Sequence, residues 1–260
     1  MREIGTGSTL RAVDWSQLDG VDIYAGHHAK CRGGDFFDAL LVGDRVLFLL
    51  TDIAGPRLEA QQVAAAVQGT FREKAKELFG PSGVDEGDVN ESDAMAGLAY
   101  ALNLSLLEAA GGRVHLAPTF VGSFERKLGI LTYCNAGNVR ALARDNGTVR
   151  VLESSGMPLG LFSHLTFEAM FLALQPGETL LVVTKGLVES RRRGEEFGAE
   201  RLSRLLELLS GKSAAAICDE TLREAYEFGA SPWARALDYL NAGELRRRED
   251  LTALALVRRV

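Results

Sequence analysis

The chain has little cysteine: three in 260 residues, Cys31, Cys134 and Cys218, with no CxxC pair and no metal-ligand spacing. That scarcity excludes a disulfide framework and a thiolate zinc site, and it points to reduced thiols in a cytoplasmic protein. Positive charge is not in excess either. With 29 Lys and Arg against 35 Asp and Glu, the formal charge is −6, which argues against general nucleic-acid or anionic-membrane binding. No stretch reaches the ~18 uncharged apolar residues that a membrane-spanning helix needs. The opening residues, MREIGTGSTLRAVD, lack the apolar core of a secretory leader. The phosphate-cradling pattern GxxxxGK[ST] is missing, which sets aside P-loop nucleotide enzymes. Ser8, Ser123 and Ser190 lie in no nucleophile-elbow context, which sets aside serine-hydrolase chemistry. There is no internal repeat and no low-complexity tract.

What is present is an ordinary globular composition, 47% apolar and 25% charged. Residues 1–20 read as a polar lead-in and 21–260 as a single domain. The organising stretch is VLFLLTDIAG, an apolar run that ends in Asp52 and a small-residue turn. Such a run reads as a buried strand that delivers a carboxylate at its end. An unpaired charge there is expensive, so a metal, a cation or a hydrogen-bond cluster is expected beside it. The stretch ETLLVVTKG repeats the design but ends in Lys185.

The early strands are Val21–His27, Ala39–Val42 and Val46–Thr51, the last two joined at Gly43-Asp44. Val63, Val67, Phe71, Ala75 and Leu78 recur at helical spacing, which predicts a helix over Leu58–Phe79. An acidic loop over Gly80–Glu91 leads to a second helix, Asp93–Ala110, capped by Ser92. Six short strands follow: Leu116–Phe124, Ile130–Asn135, Arg140–Ala143, Val149–Leu152, Leu165–Leu172 and Thr179–Thr184. Their close spacing predicts antiparallel pairing without helical crossovers. Helices are expected again at Ala199–Leu209, Ser213–Phe228 and Pro232–Asn241, before a final strand, Leu251–Val257. The fold class is therefore α+β: a four-layer αββα sandwich, with two central, mainly antiparallel sheets flanked by helices.

The acids at strand ends and tight turns are Asp35, Asp38, Asp52, Glu249 and Asp250. Gathered from different strands, such carboxylates suit hard cations, Mg²⁺ or Mn²⁺, which take oxygen ligands and keep several waters. The bland alternative is a set of solvated turn acids.

Seven segments, in order, resemble the motifs of one family. Gly33-Gly34-Asp35-Phe36-Phe37-Asp38 resembles GGDFYD, and Thr51-Asp52-Ile53-Ala54-Gly55 resembles GDVSG. Tyr133-Cys134-Asn135-Ala136-Gly137-Asn138 resembles YxNAGH, and Ser155-Gly156-Met157-Pro158-Leu159-Gly160 resembles GxPLG. Val183-Thr184-Lys185-Gly186-Leu187-Val188-Glu189 resembles YTDGVTE, Glu196-Phe197-Gly198 with Arg201-Leu202 matches FGxxRL, and Glu249-Asp250-Leu251-Thr252 resembles DDxT. These are motifs of the SpoIIE-like branch of the PPM-type metal-dependent protein serine/threonine phosphatases. The resemblance implies hydrolysis of phosphoserine or phosphothreonine, with two Mn²⁺ or Mg²⁺ ions holding a water that attacks phosphorus. It implies that Asp52 bridges the metals, that the Ile53 carbonyl assists, and that Asp35 and Glu249 serve further metal positions. Asp38 and Asp250 would support them from behind. The implied substrate is a phosphorylated regulatory protein such as an anti-sigma-factor antagonist, met in the cytoplasm by a monomer or homodimer, with no nucleic acid and no membrane involved.

The chain departs from that pattern. Lys185 stands where the family places a metal-binding Asp, Glu249 replaces the first acid of DDxT, and Pro56 enters the turn after Asp52. An ammonium so close to a divalent ion opposes its binding by several kcal/mol at an effective dielectric of about 20. One expectation is therefore a pseudophosphatase, binding one metal or none, with the ammonium seated beside Asp52 and the fold acting as a binding module in sigma-factor control. The other is a substituted mechanism, in which Lys185 binds substrate phosphate and one ion suffices. Asn138 also replaces the family's His. His27 and His28 are either strand-end surface histidines or metal ligands, and His115 and His164 have no patterned partners. Arg191–Arg193 and Arg246–Arg248 are either solvated turns or a phosphoprotein-docking rim.

Overall fold

The computed structural model describes residues 18–28, 34–80, 90–113, 115–145, 147–229 and 250–259. The polar lead-in up to residue 17, Cys31, Glu249, the second arginine run and the Pro232–Asn241 helix lie outside the described residues. In chain order the elements are β1 (Val21–His28), β2 (Asp35–Val42), β3 (Arg45–Asp52), α1 (Arg57–Phe79), α2 (Glu91–Ala110), β4 (Thr119–Glu125), β5 (Ile130–Ala136), β6 (Arg140–Asp145) and β7 (Thr148–Leu152). They continue with β8 (Met170–Ala173), β9 (Thr179–Val183), α3 (Lys185–Val188), β10 (Arg191–Arg192), β11 (Glu195–Glu196), α4 (Gly198–Leu208), α5 (Ala214–Gly229) and β12 (Leu251–Arg258).

Two five-stranded sheets form the centre, in the orders β1-β12-β9-β6-β7 and β2-β3-β4-β5-β8. Every pairing in them is antiparallel. Strand β3 shows why the sheets lie back to back. Its side chains alternate faces. Val46, Phe48 and Leu50 enter the core between the sheets, with Phe120, Tyr133, Leu180, Val182 and Leu254. Leu47 and Leu49 face the other way and pack under α1 and α2 with Val67, Phe71, Leu98 and Leu102. The second sheet repeats the design: Leu181, Val183, Ala253 and Ala255 pack under α4 and α5 with Leu202, Leu206, Ile217 and Leu222. A strand buried on both faces reads as a continuous apolar run. The layers are thus helix, sheet, sheet, helix, as the sequence predicts.

Several boundaries move for local reasons. Strand β2 begins four residues earlier than expected, at Asp35, which pairs directly with Asp52 across β3. The N-cap of α2 is Asn90 rather than Ser92, and its side chain accepts from the Asp93 amide at 3.3 Å. Of Leu165–Leu172, only the end is strand, because β8 spans Met170–Ala173. Residues 185–196, unassigned from sequence, form α3 and the β10–β11 hairpin, with Arg191 paired to Glu196 at 2.6 Å. The first arginine run is therefore partly neutralised within its own turn.

Cys134 and Cys218 are free and buried. Burial pushes the Cys134 thiol up to about 12 and the Cys218 thiol higher still. No helix among the described residues is long and apolar enough to cross a membrane.

Candidate active site

The site lies where the two sheets end together. Asp35 opens β2 and Asp52 closes β3, opposite one another in register. The ladder continues one step further, where the Ile53 amide donates to the Gly34 carbonyl at 3.1 Å. That step needs glycine: a Cβ on Gly34 would lie 1.9 Å from the Ile53 carbonyl oxygen. The chain leaving β3 is pinned from the other side, since the Asp52 amide donates to the Pro118 carbonyl at 3.0 Å and the Ala54 amide to the Leu116 carbonyl at 2.9 Å. His115, 3% exposed, holds the same turn through Nδ1, 2.7 Å from the Ala54 carbonyl. The sequence shows no partner for this histidine; the fold gives it the Ala54 carbonyl and, 3.7 Å from Nε2, the Glu59 carboxylate.

The second sheet reaches across to Asp35 with two hydroxyls. Thr184 Oγ1 and Thr252 Oγ1 donate to Asp35 Oδ2 at 2.7 and 2.6 Å. Both threonines are buried, and the Thr252 amide donates in turn to Thr184 Oγ1 at 3.2 Å. With its hydroxyl proton committed to Asp35, Thr252 accepts from His27 Nδ1 at 2.7 Å. His27 Nε2 lies 3.9 Å from Asp250 Oδ2. Asp250 is 6% exposed, and its other oxygen, Oδ1, has no hydrogen-bond partner among the described residues. Sequence reasoning counted the acids and missed the threonines; it weighed His27 as a strand-end surface histidine or a metal ligand, and the structure places its Nδ1 on Thr252. The signal was available, because Thr184 and Thr252 each sit inside a quoted motif, within two residues of the one that drew attention.

Electrostatically the site is overloaded with acid. Burial first, then the charges of Asp52 and Asp250, hold the Asp35 carboxyl well above its usual range, while the two threonine hydroxyls pull it back down. This is the imbalance that a divalent cation relieves.

Asp38 does not join this cluster. It sits on the opposite face of β2, 4% exposed, where Arg72 grips it with Nε–Oδ2 at 2.6 Å and Nη2–Oδ1 at 3.0 Å. Gln68 adds a further donor at 3.1 Å. Asp38 thus fastens β2 to α1. Lys185 begins α3, is 63% exposed, and pairs with Glu189 one turn on at 3.5 Å. The ammonium expected beside Asp52 is instead engaged on its own helix. Asp52 and Lys185 still share a cleft of about 350 Å³, lined also by Thr51, Asn138, Arg140 and Glu189.

Paired aspartates at the end of an αββα sandwich agree with the class of PPM-type protein phosphatases whose motifs the sequence resembles. The profile of one family in that class, described as Stage II sporulation protein E (SpoIIE), matches residues 42–256, and the chain belongs to that family. It is 27% identical over 204 residues to Protein IcfG of Synechocystis sp., covering 72% of this chain and 31% of that protein. The chain therefore spans about a third of the length of the curated relative it matches. Among solved structures, the RsbU and RsbW domains of Rv1364c from Mycobacterium tuberculosis superpose with a TM-score of 0.70 at 22% identity, over 92% of this chain and 60% of that one. The PP2C phosphatase domain and regulatory fragment of SpoIIE from Bacillus subtilis superposes at 0.66 and 14% identity, over 91% of this chain and 63% of that one. At these identities the superpositions carry the fold.

Proposed function

We propose that residues 21–260 form a single phosphoserine/phosphothreonine protein phosphatase domain whose first metal position is altered by Lys185, so that it works on one Mn²⁺ or Mg²⁺ rather than two. The observation that supports this is the Asp35–Asp52 pair: two carboxylates in register, with Asp35 driven up in pKa by burial and then by its acidic neighbours, and Lys185 turned to Glu189. The donor set fits a hard cation. Such ions need only one or two carboxylates and fill the rest of their shell with water. Asp52 and Asp35 would hold it, with Glu249 and the Ile53 carbonyl as further oxygen donors. The ion supplies Lewis acidity and neutralises developing phosphoryl charge. Thr184 and Thr252 fix Asp35, and His27 orients Thr252. The substrate in this reading is a phosphorylated regulatory protein of the anti-sigma-factor-antagonist kind, encountered in the cytoplasm.

A second reading, a pseudophosphatase acting as a binding module, is favoured by one observation. Lys185 stands where the family motif places a metal-binding Asp, and it lines the cleft that Asp52 borders. Calorimetric titration with Mn²⁺, wild type beside Lys185→Asp, with turnover of a phosphoserine peptide on the same samples, separates the two. The phosphatase reading expects one weak Mn²⁺ site and slow turnover in wild type, and a second site with at least tenfold faster turnover in the variant. Absence of both metal binding and turnover in wild type overturns it in favour of the binding module. Two tight sites in wild type overturn the altered-site assignment.

A further inference from the structure

Among the described residues, Arg140 is a cation with no ion-pair partner. It opens β6 and pairs in register with Val183, the last residue of β9, two residues before Lys185 begins α3. Its Nε is buried and has no hydrogen-bond partner among the described residues. A buried donor left unmatched costs stability, so native structures rarely retain one without a reason. The side chain lines the same cleft as Asp52 and Lys185.

The backbone that presents Arg140 is firmly built. Gly137 and Asn138 both adopt left-handed conformations, with φ of 89° and 60°. Asn is among the few side chains that tolerate this region. A Cβ on Gly137 would lie 2.7 Å from Pro158 Cβ, so the turn is closely packed. Asn135, fully buried, clamps the far side: its Oδ1 accepts from the Val139 amide at 2.9 Å and its Nδ2 donates to the Val139 carbonyl at 2.9 Å. The residue before Arg140 is thereby fixed at both backbone polar atoms.

We infer that Arg140 and Lys185 form a subsite for a phosphomonoester dianion, the phosphoryl group of a phosphorylated side chain, beside Asp52. The guanidinium offers a planar fork that matches two phosphate oxygens, and the ammonium adds a point charge. Among the described residues lining the cleft the charges balance without a cation, Arg140 and Lys185 against Asp52 and Glu189. An ion held at Asp52 tips the cleft positive and strengthens anion binding. The source of the phosphoryl group rests on the phosphatase reading above; its binding does not.

The test is equilibrium binding to the full chain, with and without Mg²⁺, of three probes: inorganic phosphate, a phosphoserine peptide, and the same peptide with unmodified serine. Arg140→Ala is expected to weaken the phosphopeptide at least tenfold, Arg140→Lys to recover part of the loss, and the unmodified peptide to bind weakly throughout. Arg140→Met keeps the apolar stem should the alanine variant fold poorly. Unchanged phosphopeptide affinity in Arg140→Ala and Arg140→Met overturns the subsite, as does equal binding of both peptides to wild type. Binding of inorganic phosphate alone overturns the assignment to a phosphorylated side chain. Because no turnover is read, Arg140-dependent binding in a protein that neither hydrolyses phosphopeptide nor binds Mn²⁺ sustains this inference while the phosphatase reading fails.

Discussion

Asp35 and Asp52 face one another across β2 and β3, and the first of them accepts two hydroxyl protons from the opposite sheet. The two sheets are therefore joined at one end by a carboxylate that its surroundings disfavour as an anion. Burial and the charges of Asp52 and Asp250 raise the Asp35 pKa, so the folded, metal-free chain holds a proton there more tightly than the unfolded chain does. The sign follows from linkage. Stability contributed by protonated Asp35 is full below the unfolded-state value and is lost as pH rises through the folded-state value.

Asp35→Asn should therefore stabilise the metal-free protein above the folded-state pKa of Asp35 and flatten the pH dependence of its melting temperature. The amide oxygen still accepts from both threonines, while the charge is gone. For a chain of this size, each 1 kcal/mol gained raises Tm by roughly 2–4 °C. The same variant should lose most Mn²⁺ affinity. Thermal melts across pH, with and without Mn²⁺, check both; a variant less stable than wild type when metal-free would contradict the strain assigned to Asp35.

Thr252→Val keeps the shape of the side chain and removes the hydroxyl that donates to Asp35 at 2.6 Å and meets His27 at 2.7 Å. Leaving a buried acceptor short of a donor costs about 1–3 kcal/mol. Since the hydroxyl favours ionised Asp35, the cost should be larger at high pH than at low pH, and the Asp35 pKa should climb further. Metal affinity should fall roughly 10–100-fold, the range typical for lost outer hydrogen bonds. Urea denaturation at two pH values and calorimetry read the two effects.

Much of this fold is legible in the sequence because strands buried on both faces write long apolar runs and the amphipathic helices write a clear period. Asp52 is legible for the same reason, as a charge at the end of such a run. The misplaced pieces are those that pairing, pleat and a short helix decide. Nothing local says that β2 starts at Asp35; the ladder with Asp52 decides it. Nothing local distinguishes Asp38 from Asp35, three residues apart in one motif, until the pleat sends one to the cleft and the other to Arg72. The direction of the Lys185 side chain depends on α3, a four-residue helix too short to announce itself.

Gly34→Ala should damage the site through the backbone. The added methyl would meet the Ile53 carbonyl oxygen at 1.9 Å and its carbon at 2.8 Å. Relief means opening the end of the β2–β3 ladder, at a cost of about 1–3 kcal/mol or more. Gly43→Ala is the control. There φ is 58° and nothing lies within 4 Å, so only the left-handed backbone is penalised, by roughly 1–2 kcal/mol. Both variants should lose stability, but only Gly34→Ala should also lose Mn²⁺ binding, as denaturation and calorimetry on the same samples will register.

Arg72→Gln tests the division of labour within Gly34-Asp35-Phe36-Phe37-Asp38. Asp38 is 4% exposed and keeps donors from Gln68 and the Ala39 amide, but it would lose both bonds from Arg72. Breaking a fully buried ion pair costs about 3–5 kcal/mol. Arg72 is 42% exposed, so water replaces part of what it gives and a loss nearer 1–3 kcal/mol is expected. Adding Asp38→Asn should recover part of that loss, because the stranded charge goes with it. Mn²⁺ affinity should stay within about twofold of wild type in both, measured on protein still folded at the assay temperature. A large drop in metal affinity would place Asp38 in the same functional unit as Asp35, against the geometry that turns them to opposite faces of one strand.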